Sequence, residues 1–210
     1  MKKFISIMLV LLMVFSMSAC GGASGSNDEG PSPTEVMDSF LKALKAGDLE
    51  TAAQYYDGNI DKINFMEDGD DPIFSDVMDD LTEKMLDFDY TLSNETVKKN
   101  DATVDVEFTT YDLGNVMNEL LMAVMSDSSA LALMGADQGE LEAIIAEIVK
   151  TKFDEVIKNE NKDTTVTVTV NMVKKKGKWL IKDLANTDDF MNALSGGILQ
   201  YADSLGDVLG

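Results

Sequence analysis

The chain has 210 residues, 45% of them hydrophobic and 26% charged, a composition that suits one folded domain and not a disordered chain. Its 38 Asp and Glu outnumber 17 basic residues, all of them lysine, for a formal charge of −21 that excludes nucleic acid as a partner. With no histidine, no arginine and a single cysteine, Cys20, it also excludes a Ser-His-Asp triad, a His- or Cys-built zinc site and arginine clamps on phosphate.

Lys2-Lys3, the apolar run Phe4 to Phe15 and small residues up to Cys20 lay out a secretory signal over residues 1–19, too short for a comfortable bilayer span. Met17-Ser18-Ala19-Cys20 resembles a bacterial lipobox, with Met17 where leucine is usual. The resemblance implies cleavage between Ala19 and Cys20 and a diacylglyceryl group on the Cys20 sulfur, two acyl chains being enough for stable anchoring. Residues 20–31, rich in glycine and serine, read as a flexible tether. Loss of Lys2 and Lys3 takes the charge from −21 to −23, a surface expected to be repelled by anionic lipid and wall polymers.

Ser32-Pro33-Thr34-Glu35 is a capping box with proline at the first helical position, opening a helix in which Val36, Met37, Phe40, Leu41 and Leu44 share a face. Gly47 stops it, and Asp48 caps a second helix expected to run to about Tyr56. An acidic loop with Glu67, Asp68, Asp70 and Asp71 follows, then a weak helix over Ser75 to Leu86. Phe88 to Val97 alternates loosely, Lys98 to Asp101 turns, and Ala102 to Tyr111 alternates cleanly, with Val104, Val106 and Phe108 on one face.

Leu113 to Lys158 has helical spacing, through Leu113, Val116, Met117, Leu120, Leu121, Val124 and Met125 and then Leu141, Ile144, Ile145, Ile148, Val156 and Ile157. Val166, Val168, Val170 and Met172 mark a second alternating strand, which Lys175-Lys176-Gly177 turns into Lys178 to Asp183. A last helical pattern from Phe190 to Leu205 is bent at Gly196-Gly197. The expected fold is α+β: leading helices on an antiparallel sheet of at least four strands, a helical insertion over about 113–160 between two hairpins, and a C-terminal helix.

Lys45-Ala46-Gly47-Asp48-Leu49-Glu50-Thr51-Ala52-Ala53 after an opening helix, with Lys176-Gly177-Lys178-Trp179-Leu180-Ile181 late in the chain, resembles nuclear-transport-factor-two-like (cystatin-like) domains. With the lipobox, the chain is similar to uncharacterised lipoprotein families of Gram-positive bacteria. The resemblance implies a single domain over 32–210, with helices on a curved sheet forming a cone that can hold a pocket. Some members are isomerase-like enzymes and many are binding modules. Tyr55, Tyr56, Tyr90 and Tyr111 are candidates to line such a pocket, having apolar rings with polar tips.

Other motifs read more simply. Ser39 and Lys42 match a Ser-x-x-Lys pattern without its companion motifs and fit a helix surface. Asp57, Asn59 and Asp61 match the start of a calcium loop whose sixth position is Lys62 instead of glycine, so a solvated acidic loop is the default. Asp89 and Asp112 stand at strand ends, where an acid–base role would require burial. Met117, Met122 and Met125 suit core packing or an adaptable interface better than copper. Trp179 reads as core, and Lys174-Lys175-Lys176 as a hairpin turn that discourages edge pairing.

The expectation is a lipid-anchored protein on the outer face of the cytoplasmic membrane, without metal or cofactor. Its domain is read as a non-catalytic binding module for a small apolar ligand or an envelope protein. Two alternatives stand beside it. One is a carboxylate- and tyrosine-based isomerase or dehydratase working in the cone; the other is an assembly protein that dimerises through the insertion helices.

Overall fold

Ser32 begins the first element as its sequence requires. Its hydroxyl accepts the Glu35 N–H at 3.2 Å while the Glu35 carboxylate accepts the Ser32 N–H at 2.8 Å, closing a capping box on α1 (Pro33–Lys45). The computed structural model describes residues 30–60, 75–126, 138–158, 160–182, 184 and 188–209. Ala19 and Cys20, most of the tether, Asp61 and the acidic loop with Glu67, Asp68, Asp70 and Asp71 lie outside the described residues. All five residues of the expected α1 face, Val36, Met37, Phe40, Leu41 and Leu44, are buried.

Gly47, at φ 68°, turns the chain, and Asp48 caps α2 (Leu49–Ala53). This helix stops short of Tyr56 because sheet pairing claims the backbone. The Ile181 N–H donates to the Tyr55 carbonyl at 2.8 Å, and the Asp57 N–H to the Ile181 carbonyl at 2.8 Å. After α3 (Ser75–Leu86) come β1 (Asp89–Lys98) and β2 (Asp101–Tyr111), then α4 (Leu113–Ser126), α5 (Gln138–Ile157), β3 (Lys162–Lys175) and β4 (Lys178–Ile181). The chain closes with α6 (Asp188–Leu194) and α7 (Ile198–Leu209), separated at Gly196-Gly197 as expected.

The fold is α+β, with a curved, open antiparallel sheet in the order β1-β2-β3-β4. The loose alternation of β1 has a local cause: the register slips between Ser93 and Thr96, where Asn94 takes φ 52°. Lys176 (φ 51°) and Gly177 (φ 81°) both take the left-handed conformation that suits a two-residue hairpin turn. Residues on one sheet face are buried in strict alternation, Ala102, Val104, Val106 and Phe108 on β2 and Val168, Val170 and Met172 on β3. The other face carries Thr103, Asp105, Thr109, Thr165, Thr167 and Thr169, paired across the strands.

Two apolar clusters result. The larger lies between the buried sheet face and α1, α2 and α6, and its centre is filled by rings: Phe88 meets Phe108 edge-on at 5.6 Å and Phe108 meets Phe190 at 5.4 Å. Each fully buried phenylalanine contributes roughly 1.5–3 kcal/mol of transfer free energy. Trp179 belongs to this core, with the Lys174 ammonium over its ring. The smaller cluster joins α3 and the insertion helices to the start of α7 through Val77, Leu81, Met85, Leu113, Val116, Leu120 and Phe153.

Helical spacing misassigned part of that insertion. Phe153, absent from the expected face, is fully buried, whereas Met125, expected on the face, is 74% exposed. Val166 points to the core side of β3 yet is 39% exposed. No described helix is long and apolar enough to cross a membrane.

Candidate functional site

Strand β3 is fourteen residues long, but β4 pairs only with its last four, Met172 to Lys175. One further bond, from the Lys182 N–H to the Asn171 carbonyl at 2.9 Å, extends that ladder by a residue. Along its other edge β3 pairs with β2 from Lys162 to Val173. Among the described residues, the outer edge of β3 before Asn171 therefore carries no partner strand. Because Asn171 directs its carbonyl outward, the two-residue period directs the backbone N–H and C=O groups of Thr169, Thr167 and Thr165 outward too.

Beside this edge lies a cavity of about 270 Å³. Val168, Val170, Leu184 and Phe190 make its apolar surface, and Thr169, Asn171 and Lys182 stand around it. The wall at Leu184 is held by Tyr56, whose hydroxyl accepts the Leu184 N–H at 2.7 Å. Tyr56 is itself fixed by stacking on Phe40, with ring centroids 6.0 Å apart. A second cavity, of about 480 Å³, lies between α6 and α7 and has Asp189, Asn192, Gln200 and Asp203 around it.

The four candidate tyrosines do not converge. Tyr56 is buried and supports the β3 cleft from behind, and Tyr55 packs half-buried on the larger core. Tyr90 donates its hydroxyl hydrogen to Asp38 Oδ1 at 2.8 Å across α1. Burial first, and then the Asp38 carboxylate, pushes that hydroxyl well above the usual tyrosine range. Tyr111 belongs to the smaller cluster at the far end of the sheet. None of the four lines either of the two cavities described.

Tyr111 does meet a carboxylate, one that spacing did not single out. Its hydroxyl donates to Asp87 Oδ2 at 3.0 Å, and the Lys84 ammonium sits 4.5 Å above its ring. Lys162 bridges Asp87 at 3.0 Å and Asp89 at 2.8 Å, while Lys45 pairs with Asp89 at 3.1 Å and donates to the Phe88 carbonyl. The Lys162 hydrogen bonds hold both carboxyls below the usual range, helped at Asp87 by Tyr111 and at Asp89 by Lys45. Asp89 is thus an exposed, strongly ionised partner of lysines. Asp112 caps α4, accepting the Asn115 N–H at 3.0 Å.

The remaining motifs are local structure. The Ser39 hydroxyl donates to the Glu35 carbonyl and Lys42 pairs with Asp38 along α1, so neither activates the other. Asp57 pairs with Lys175 at 2.6 Å. Met117 packs against the smaller cluster while Met122 and Met125 face solvent. Among the described residues, no group of three or more carboxylates is placed to hold a metal ion.

Comparison of the chain with protein-family models, with curated proteins and with solved structures finds no match. The open β3 edge was missed by sequence reading because both hairpins look equally complete there. The only signal was the inequality of the last two runs, a long Thr-Val alternation followed by a four-residue apolar strand.

Proposed function

We propose that this chain is a membrane-anchored extracytoplasmic lipoprotein whose α+β domain is a non-catalytic binding module, tethered through a diacylglyceryl group on Cys20. The observation that carries the binding role is the outer edge of β3. Its outward amide and carbonyl groups at Thr165, Thr167 and Thr169 offer a ladder to one more strand, and the adjoining cleft offers an apolar seat for that strand's side chains. The partner is an extended segment of an envelope protein, added antiparallel or parallel as a fifth strand. The nuclear-transport-factor-two-like family is the proposed kinship, supported by the α1–Gly47–Asp48 turn ahead of the sheet and the Lys176-Gly177 hairpin before its last strand.

A small apolar ligand is the second reading, favoured by the volume of the cleft and by the Val168, Val170, Leu184 and Phe190 side chains that line it. The isomerase-like alternative draws on the Asp87–Tyr111 pair. It is the weaker reading, because lysine contacts keep Asp87 ionised and the cone centre is filled by phenylalanine rings.

The test is photo-crosslinking in cells with a benzophenone residue at Thr167, and at exposed Lys42 on α1 as the comparison site. Discrete envelope-protein adducts are expected at Thr167 alone; Thr169→Pro, which removes an outward N–H, should abolish them, whereas Thr169→Val, which loses only the side-chain bond to Asp105, should not. Equal labelling at the two sites would sink the strand-addition reading. Extraction of a stoichiometric apolar compound from the purified chain would replace it with the ligand reading. Mass spectrometry of Cys20 tests the anchor independently.

A further inference from the structure

Three features meet at one end of the sheet. The β1–β2 turn presents Lys98 and Lys99, and the β3–β4 hairpin presents Lys174, Lys175, Lys176 and Lys178. The Asp101↔Val173 register sets the two turns side by side, and the Lys174 N–H donates to the Asn100 carbonyl at 2.7 Å. The third feature is the start of the body itself. A Cβ placed on Gly30 would lie 3.9 Å from the Gly177 carbonyl oxygen. The Thr34 N–H and hydroxyl both bind the Glu95 carboxylate, at 3.0 Å and 2.6 Å, so α1 starts beside the same end of β1. The tether thus leaves the body among the lysine turns.

Local charge there opposes the sign of the whole chain. Three nearby carboxylates are already engaged: Asp57 with Lys175, Asp101 with Lys182, and Glu95 with the start of α1. Lys98, Lys99, Lys176 and Lys178 are exposed and have no carboxylate within ion-pairing distance among the described residues. Val97, 50% exposed beside Lys98, adds an apolar point to the same surface. At the opposite end of the sheet Asp112, Glu119 and Asp163 surround Glu160. Among the described residues the two ends of the sheet thus differ in local charge, which a summed charge does not report.

We infer that the lysine turns are a docking face for anionic phospholipid headgroups, against which the tether holds the domain; this rests on the lipid anchor proposed at Cys20. The ten residues from Gly21 to Gly30 reach at most about 35 Å, so an anchored chain keeps the lysines within reach of the headgroups. Attraction of lysines to an anionic leaflet decays within a Debye length of about 8–10 Å, shorter than the tether's reach, so the tether brings the lysines near the surface and the headgroup charge draws them onto it. The strands then stand roughly along the membrane normal, with the Glu160 end outward and the β3 edge open sideways.

The test uses the chain from Cys20 to Gly210 with its only cysteine coupled chemically to a maleimide lipid, so that the outcome is independent of whether cells lipidate Cys20. Trp179, the only tryptophan, lies next to the lysine hairpin and reports approach through quenching by a nitroxide on the lipid headgroup. Quenching is expected in vesicles of two parts phosphatidylcholine to one part phosphatidylglycerol, and should be several-fold weaker in phosphatidylcholine alone or at high salt. The quadruple change Lys98→Glu, Lys99→Glu, Lys176→Glu, Lys178→Glu should abolish the phosphatidylglycerol-dependent part, its fold being checked by circular dichroism. Should that variant unfold, Lys99→Gln with Lys176→Gln should still lower the quenching at least twofold. Equal quenching in both vesicle types, or quenching indifferent to the lysines, overturns the proposal. So does protection of these lysines from acetylation by soluble polyphosphate but not by phosphatidylglycerol vesicles, which would identify a polyanion site. Absence of lipid on Cys20 in the native protein would overturn the anchor alone.

Discussion

The Gly114 N–H donates to the Gly196 carbonyl at 2.9 Å, in a junction so close that a Cβ on Gly114 would sit 2.7 Å from the Gly197 carbonyl oxygen. Backbone faces backbone here, so no flexible side chain can yield. Gly114→Ala is expected to cost about 1–3 kcal/mol in urea unfolding, the range for overpacking. Gly196→Ala should cost more, since Gly196 adds φ 59° to a clash with the Tyr111 carbonyl oxygen. Unchanged midpoints in both variants would mean that α7 is not seated against α4 in solution.

Tyr56→Phe removes the hydroxyl that accepts the Leu184 N–H while leaving the ring stacked on Phe40. Loss of this buried hydrogen bond predicts a cost of about 0.5–1.5 kcal/mol. Hydrogen exchange should accelerate at Leu184 more than at Val106 in the sheet centre. Equal acceleration at both would mean global destabilisation and no specific role in holding the cleft wall.

The fold was largely legible because local signals agreed with one another. Ser32, Gly47 and Asp48 act where their chemistry places them, and the strict alternation of β2 matches its burial residue by residue. The sites were less legible. Pocket-lining tyrosines cannot be told from core tyrosines by type: Tyr55, Tyr56 and Tyr90 pack in or on the larger core and Tyr111 on the smaller one. The Asp87–Tyr111–Lys162 contact joins residues 24 and 75 positions from Asp87, which no local period reports. Net charge is a sum over the chain, and it does not report that the meander gathers six lysines into two adjacent turns. The insertion's apolar face failed at Met125, hydrophobic by type yet facing solvent, and at Phe153, buried but off the expected face.

Lys162 should be tested for its bridge to Asp87 and Asp89. Both aspartates are held below the ordinary carboxylate value of 3.8, so their share of stability is complete above that value and disappears as pH falls through the lowered folded one. Lys162 is raised above its ordinary 10.5, so its share is complete below that value and is lost as pH rises through the raised one. Lys162→Met is expected to cost about 1 kcal/mol at neutral pH, since the carboxylates are largely exposed. That difference should shrink toward zero in strong acid; a difference independent of pH would assign the effect to packing.

Glu160 behaves in the opposite sense. Burial, and then the charges of Asp112, Glu119 and Asp163, raise its carboxyl above the ordinary 4.5. The folded state therefore holds this proton more tightly than the unfolded chain, and stability declines as pH rises from 4.5 through the raised value. Glu160→Gln, which keeps an oxygen for the Asp112 N–H, is expected to stabilise by about 0.5 kcal/mol at neutral pH. Thermal unfolding across pH reads it, and the gain should vanish in acid. A destabilised variant at neutral pH would contradict the crowding described.

The insertion between β2 and β3 also sets an order of events in folding. Each hairpin closes through a two-residue turn, β1 with β2 and β3 with β4, whereas Tyr111 meets Lys162 only after a long excursion through α4 and α5. Closing a loop of about 50 residues costs about 2 kcal/mol more in chain entropy than closing a loop of about four. The two hairpins are thus the fast local products. The central β2–β3 ladder is the late, rate-limiting union, one that α4 packing on α5 hastens by drawing the ends of the loop together.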